Sequence, residues 1–191
     1  MRETEITVRV FDENNVIDQK LVTAGFKATG RFYMFDRYYT HLINYKNASY
    51  ECLLKHSVII RQIAEKTIRS MILFKDKSLD NDGNVISEQK IVCSIENCDA
   101  AAKIYDSAGF TKWCEVRNHS TKYVQGEIEL VVQTIEGLGT FIEFEEYPSI
   151  KDMSDSEKFD ILKNKINDIG LDIGDDYSCK KPYMLMQKGV N

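Results

Sequence analysis

Along Gly126–Glu146 the chain reads GEIELVVQTIEGLGTFIEFEE, two runs of alternating apolar and polar residues joined by a glycine turn. Side chains alternate faces along a strand. The first run therefore sets Glu127, Glu129, Val131 and Gln133 against Ile128, Leu130, Val132 and Thr134. The second sets Phe141, Glu143 and Glu145 against Ile142 and Phe144. The opening RETEITVRVF repeats the pattern, with Glu3, Glu5, Thr7 and Arg9 opposite Ile6, Val8 and Val10. Two further strands carry bases: RSMILFKDK aligns Arg69, Lys75 and Lys77 with Met71 and Leu73, and HSVIIRQI aligns Ser57, Ile59 and Arg61. Ordinary half-buried strands turn their polar face to bulk water. Acidic strands and basic strands that are all apolar on the reverse suit another arrangement, a barrel with a charged interior and helices packed outside.

Between the strands the periodicity changes to that of helices. Asp12 is placed to cap a helix over 13–25, where Val16, Ile17, Leu21 and Ala24 form a stripe ended by Gly25. FYMFDRYYTHL reads as an aromatic-rich strand, Asn44–Tyr50 as a connecting loop, and SLDNDGNV as an exposed turn with Asp82-Gly83 at its tip. The second half echoes the first: Ala24-Gly25-Phe26 and Ala108-Gly109-Phe110 each follow a strand and a helical stripe. In the second copy Asn97 or Asp99 is the predicted cap. The echo points to a duplicated barrel with one helix per half. Ser154-Asp155-Ser156-Glu157 is a capping box opening a helix to about Ile169, and GLDIGDDYSCKKPYMLM closes with a short helix or turn.

Composition narrows the class. A chain of 191 residues, 43% apolar and 29% charged, fits one domain over 1–191 with a substantial core. Its net charge of −5, without a dense Lys/Arg run, argues against a nucleic-acid partner. No apolar run approaches the roughly 20 residues of a membrane span, and MRETEITVRV is unlike a signal peptide. The five cysteines include no CxxC pair and are expected to be reduced thiols, so the expected compartment is the cytoplasm.

Three stretches carry a family resemblance: Glu3-Thr4-Glu5, the aromatic run Tyr33–Tyr39, and Glu136–Glu145 with its Gly-Leu-Gly-Thr-Phe-Ile-Glu-Phe-Glu core. In that order they resemble the CYTH, or triphosphate tunnel, proteins, among them class IV adenylyl cyclases, thiamine triphosphatases and inorganic triphosphatases. The resemblance spans nearly the whole chain. It implies an α+β fold, an eight-stranded antiparallel β-barrel that grips a triphosphate with basic side chains and Mg²⁺ or Mn²⁺ with acidic ones. Carried over by position, the phosphate contacts are Arg9, Arg61, Lys75 and Arg117, and the metal ligands Glu3, Glu5, Glu143 and Glu145. Lys180 or Lys181, with Tyr183, would lie near the tunnel mouth. The implied ligand is a small-molecule triphosphate: ATP, thiamine triphosphate or tripolyphosphate. A homodimer is left open as the assembly.

Several positions depart from the family pattern. The lysine that closes ExExK is Thr7, the first arginine of the usual Leu-Arg-Ile-Arg strand is Ile59, and acids of the second-half strand fall on Lys90 and Val92. A second basic residue after Arg117 is replaced by Ser120, and the aspartate before the glycine turn by Gln133. No catalytic residue is therefore assigned. Three readings follow: a metal-dependent enzyme similar to a class IV adenylyl cyclase or a triphosphatase, a catalytically degenerate nucleotide or polyphosphate binder, and a structural protein that keeps only the fold. The surviving Glu143, Glu145, Lys75, Arg61 and Arg117 favour the first two.

Overall fold

The structure is a computed structural model that describes residues 3–79 and 85–189. Eight strands form one antiparallel sheet: β1 (Glu5–Val10), β2 (Lys27–Thr40), β3 (Ser57–Ala64), β4 (Ile68–Leu79), β5 (Val85–Ile95), β6 (Thr111–Gln125), β7 (Ile128–Ile135) and β8 (Gly139–Glu145). Their order is β1-β8-β7-β6-β2-β3-β4-β5. The helices are α1 (Asn14–Thr23), α2 (Tyr50–Lys55), α3 (Cys98–Ser107), α4 (Asp155–Asp168) and α5 (Lys181–Gln187). The expected α+β architecture is therefore present, as a sheet curled on itself with α1, α3 and α4 outside.

The two ends of the sheet meet at a bridge between Glu3 and Glu88. Glu3 N–H donates to Glu88 O at 2.8 Å, and Glu88 N–H returns a bond to Glu3 O at 3.0 Å. Beyond it, residues 172–179 run along the free edge of β1. Phe11 N–H donates to Asp172 O (2.8 Å), Thr7 N–H to Tyr177 O (2.9 Å), and Cys179 N–H to Thr7 O (3.0 Å). Backbone donors that an open edge would leave unpaired are thus satisfied.

Alternation decides what packs on each side. On the outer face Ile6, Val8, Leu130, Ile142 and Phe144 are buried with Ile17 and Leu21 of α1 and Leu162 and Ile166 of α4. A second outer cluster joins Tyr39 and Ile60 to Cys98, Ala101 and Ala102 of α3. The inner face is partly apolar as well. Tyr38, Ile59, Leu73, Val116 and Phe141 pack there with Leu53 of α2 and Leu185 of α5, filling part of the barrel.

Most of the expected elements appear, with local corrections. Glu13, not Asp12, is the N-cap of α1 and makes no side-chain cap bond. Asp12 is drawn away: its carboxylate accepts from Lys20 Nζ and from Asp172 N–H, both at 2.8 Å. The stretch expected as a loop leads into α2, whose N-cap Ser49 accepts from Cys52 N–H at 3.2 Å. Asn97 caps α3 by accepting from the Asp99 and Ala100 N–H groups, and the Ser154–Glu157 capping box is closed in both directions. The Asp82-Gly83 tip lies outside the described residues.

The outer packing generates a contrast open to measurement. Ile142 is fully buried beneath α1 and α4, whereas Ile91 of β5 is 59% exposed. Ile142→Ala is expected to cost about 3 kcal/mol in urea unfolding, and Ile91→Ala less than about 0.5 kcal/mol. Equal effects would contradict the placement of α1 and α4 over Ile142 and not over Ile91.

Candidate functional site

The inner face gathers charge from six strands and the C-terminal segment. Direct register partners share a face, so Asp36 of β2 and Arg61 of β3 meet inside the barrel. Their side chains form a two-point fork, Nε to Oδ1 at 2.7 Å and Nη2 to Oδ2 at 2.6 Å. Lys75 and Lys77 of β4 close on Glu88 of β5 at 2.8 and 2.5 Å, and Glu88 is 0% exposed. Lys90, two residues on, reaches Glu145 at 2.9 Å, Glu3 at 3.1 Å and Glu88 at 3.5 Å. Lys181, at the start of α5, donates to Gln133 at 2.7 Å and Glu143 at 3.2 Å.

Two cavities share this wall. An inner chamber of about 100 Å³ is lined by Glu5, Thr7, Tyr50, Lys77, Asn118 and Lys181 among others. A wider mouth of about 490 Å³ is lined by residues including Arg69, Lys90, Lys122, Glu129 and Glu145. Met34, Arg61, Lys75 and Glu143 line both. The mouth lies within the range of roughly 300–1,000 Å³ usual for small-molecule sites.

Burial and opposite charge contend at every ionisable group. Burial disfavours the Lys75 ammonium, but Glu5 and Glu88 outweigh it and hold its pKa above the usual lysine range. Burial also pushes Glu143 and Glu88 up. Lys181, Lys75 and Arg61 overcome this at Glu143, and Lys75 and Lys77 at Glu88, so both stay below the usual carboxylate range. Glu5 is the exception. Burial, with Glu143 and Glu88 adding to it, raises its pKa despite Lys75.

The predicted site residues separate into two groups. Arg61, Lys75, Glu5 and Glu143 come together around the cavities. Glu145 and Glu3 stand at the rim, 51% and 46% exposed in their side chains. Oxygens of Glu5, Glu143 and Glu145 lie within 4.8 Å of one another. Glu5 Oε2 is buried and accepts no hydrogen bond among the described residues. That donor set fits a hard divalent cation, which takes carboxylate oxygens and keeps several waters.

Arg9 and Arg117 are not brought to this cluster. The Arg9 guanidinium donates to Leu138 O at 3.0 Å, beside the Phe11 ring. Arg117 pairs in register with Phe35, one position off the inward Asp36–Val116 pair, and so lies on the outer face. There its guanidinium sits 4.4 Å from the Phe35 ring centroid and 2.6 Å from Glu115.

Sequence reasoning passed over Asp36, Lys77 and Glu88 as site residues. Each had a signal: Asp36 is in step with Met34 and Tyr38, Lys77 with Lys75, and Glu88 with Lys90. Lys180 and Lys181, the two lysines that the resemblance offered near the mouth, both line the inner chamber, where the path of the C-terminal segment carries them. Thr7 faces Glu143 across the β1–β8 register, and Lys181 supplies the ammonium beside that carboxylate.

No family model matches this chain. It is 26% identical over 189 residues to a Methanocaldococcus jannaschii protein named "Putative adenylate cyclase", covering 96% of this chain and 97% of that one. A protein of Pyrococcus horikoshii OT3 has a similar solved structure, with a TM-score of 0.75, 22% identity, and coverage of 97% of this chain and 99% of that one. A Hippeastrum protein, described as an adenylyl cyclase candidate with a dominant triphosphatase activity, superposes with a TM-score of 0.57 at 15% identity, covering 98% and 96%. These structural likenesses establish a shared fold.

The paired lysines at Glu88 generate a pH-dependent expectation. Its folded pKa is depressed, so its contribution is complete above the ordinary glutamate value of 4.5 and is lost as pH falls toward the folded value. Glu88→Gln is expected to cost about 3–5 kcal/mol at pH 7 by leaving two ammoniums short of a partner. The gap from wild type should stay constant above about pH 5 and narrow in stronger acid. Denaturant melts across pH measure it, and a gap that widens in acid would reverse the assigned sign.

Proposed function

From a chain that has the triphosphate-tunnel fold and resembles the CYTH proteins along its length, we propose that the tunnel binds a small molecule bearing a triphosphate, together with a divalent cation. The carrying observation is the wall shared by mouth and chamber, where Arg61 and Lys75 face the same space as Glu143. A triphosphate carries about four negative charges, and binding it needs several fixed cations in a water-poor cavity.

The residues divide the work. Arg61, oriented by the Asp36 fork, presents its remaining N–H groups to the cavity. A guanidinium suits two-point contact with phosphate, and Lys75 and Lys77 add compact charges. Glu88 holds those ammoniums in place until phosphate oxygens take over part of its role. Glu5, Glu143 and Glu145 would hold Mg²⁺ or Mn²⁺, which neutralises phosphate oxygens as a Lewis acid. With that assistance the chemistry open to the site is ATP cyclisation, as in class IV adenylyl cyclases, or triphosphate hydrolysis.

A second reading has its own observation. The cations here are already engaged: Arg61 by Asp36, Lys75 and Lys77 by Glu88, Lys90 by Glu145, and Lys181 by Glu143. Thr7 stands where the family pattern has a lysine. A tunnel so balanced, without that lysine, suits a protein that holds a nucleotide or polyphosphate and does not turn it over.

The test uses the full chain with Mg²⁺ and ATP, thiamine triphosphate or tripolyphosphate, following ligand affinity, phosphate and cyclic AMP together. Tripolyphosphate at millimolar concentration should raise the thermal midpoint, because a ligand of the folded state stabilises it by mass action. Lys75→Gln should weaken affinity roughly 10- to 100-fold, the worth of one charge-assisted hydrogen bond. Arg117→Gln, on the outer face, should leave it unchanged. Absence of binding to all three compounds would overturn the proposal. Binding without product would select the second reading.

A further inference from the structure

The acids assigned to the divalent cation already hold a cation, and it is covalently part of the chain. The Lys90 ammonium lies 2.9 Å from Glu145 Oε1, 3.1 Å from Glu3 Oε2, 3.5 Å from Glu88 Oε1 and 3.9 Å from Glu5 Oε2. Two of those residues, Glu5 and Glu145, belong to the trio whose oxygens converge within 4.8 Å. Lys90 projects from β5 and lines the mouth, so its head comes to the cluster from the entrance side. The Glu5 oxygen nearest to it is buried without a hydrogen bond, and 3.9 Å is too long for Lys90 to supply one.

We propose that Lys90 is a tethered cation that occupies the carboxylate cluster in place of a divalent ion and sets a low affinity for metal. The inference rests on the reading of Glu5, Glu143 and Glu145 as metal ligands. A lysine head is a compact, strongly hydrated charge on a flexible stem, so it can leave the cluster without any change in the sheet. A divalent ion bound to Glu5 and Glu145 would lie close to the present ammonium, and two cations at that separation repel in a poorly hydrated site. Metal therefore enters only as Lys90 withdraws, and the ion's apparent affinity is lowered by the cost of that exchange. Without metal, Lys90 keeps Glu3, Glu5, Glu88 and Glu145 close despite their like charges. Arg61 and Lys181 are paired elsewhere, with Asp36 and Glu143, and Lys75, which holds Glu88 and faces Glu5, forms no ion pair with Glu3 or Glu145 among the described residues.

The test is Mn²⁺ binding to the full-length chain, read by the loss of the free-ion electron paramagnetic resonance signal. Wild type, Lys90→Gln and Lys90→Arg are compared, with no triphosphate present. The expected result is that Lys90→Gln binds Mn²⁺ on the order of 10- to 100-fold more tightly than wild type, while Lys90→Arg, which keeps the charge, stays as weak as wild type. Thermal melts supply a second readout. Lys90→Gln should melt lower than wild type in chelator and regain stability with Mn²⁺, and wild type should respond little. Should Lys90→Gln be unfolded in chelator, Mn²⁺ should restore its fold. Equal Mn²⁺ affinity in wild type and Lys90→Gln, or failure of Mn²⁺ to restore the glutamine variant, would overturn the proposal. Binding of ATP, thiamine triphosphate and tripolyphosphate by calorimetry with Mg²⁺ present is run alongside. Its absence in wild type, with the Lys90 effect intact, would overturn the triphosphate reading and leave the tethered cation standing.

Discussion

A charge inside a closed barrel must be neutralised by another, because the cost of removing an ion from water is several kcal/mol even after the protein relaxes. That constraint organises the inner face. Asp36 carries the Arg61 fork, Glu88 takes two lysines, and Lys181 comes from the far end of the chain to meet Glu143. The same requirement operates at the base of the α4 packing. There Lys158 and Glu146 form a buried pair at 2.8 Å, and Glu146 also accepts from Thr4 N–H at 2.9 Å. Through Glu146 this pair connects α4 with the opening segment and the end of β8.

Closure of the sheet follows from the same arrangement. The bridge between Glu3 and Glu88 places the side chains of both residues near Lys90. The backbone pairing that shuts the barrel and the charge cluster at its rim are thus built from the same residues. The C-terminal segment does comparable double duty. Residues 172–179 satisfy the edge of β1, and their direction delivers Lys181 inside and Leu185 to the inner apolar cluster.

A tunnel whose cations are already paired with carboxylates constrains what enters it. An anion gains the lysines and Arg61 only by sharing them with their carboxylates, so binding is an exchange of partners and not the filling of a vacant positive hole. The apolar cluster of Tyr38, Ile59, Leu73 and Phe141 limits how far a ligand reaches and keeps the charged wall short of water. Low local dielectric strengthens each remaining contact. For the triphosphate ligand proposed above, selectivity would depend on how many phosphate oxygens can replace carboxylate oxygens at once.

The sequence by itself determined which face of each strand is which. The alternation in EITVRV and FIEFE sends Ile6, Val8, Ile142 and Phe144 under the helices, and Glu5 and Glu143 inward, because the strand period leaves no other choice once one face is buried. It likewise determined the capping box of α4 and the duplicated order of strands and helices, which are local patterns. β6 was ambiguous, since Glu115, Arg117 and His119 alternate with Val116, Asn118 and Ser120, and polar residues occupy both faces. Only the register with β2 and β7 decided that Asn118 and Ser120 point inward and Arg117 outward. Only the tertiary structure, too, decided the ion pairs. Lys90 and Glu3 are 87 residues apart, Lys181 and Glu143 38, and their meeting depends on barrel closure and the course of the final segment. Side-chain direction is a property of the local strand, whereas charge pairing is a property of the closed surface.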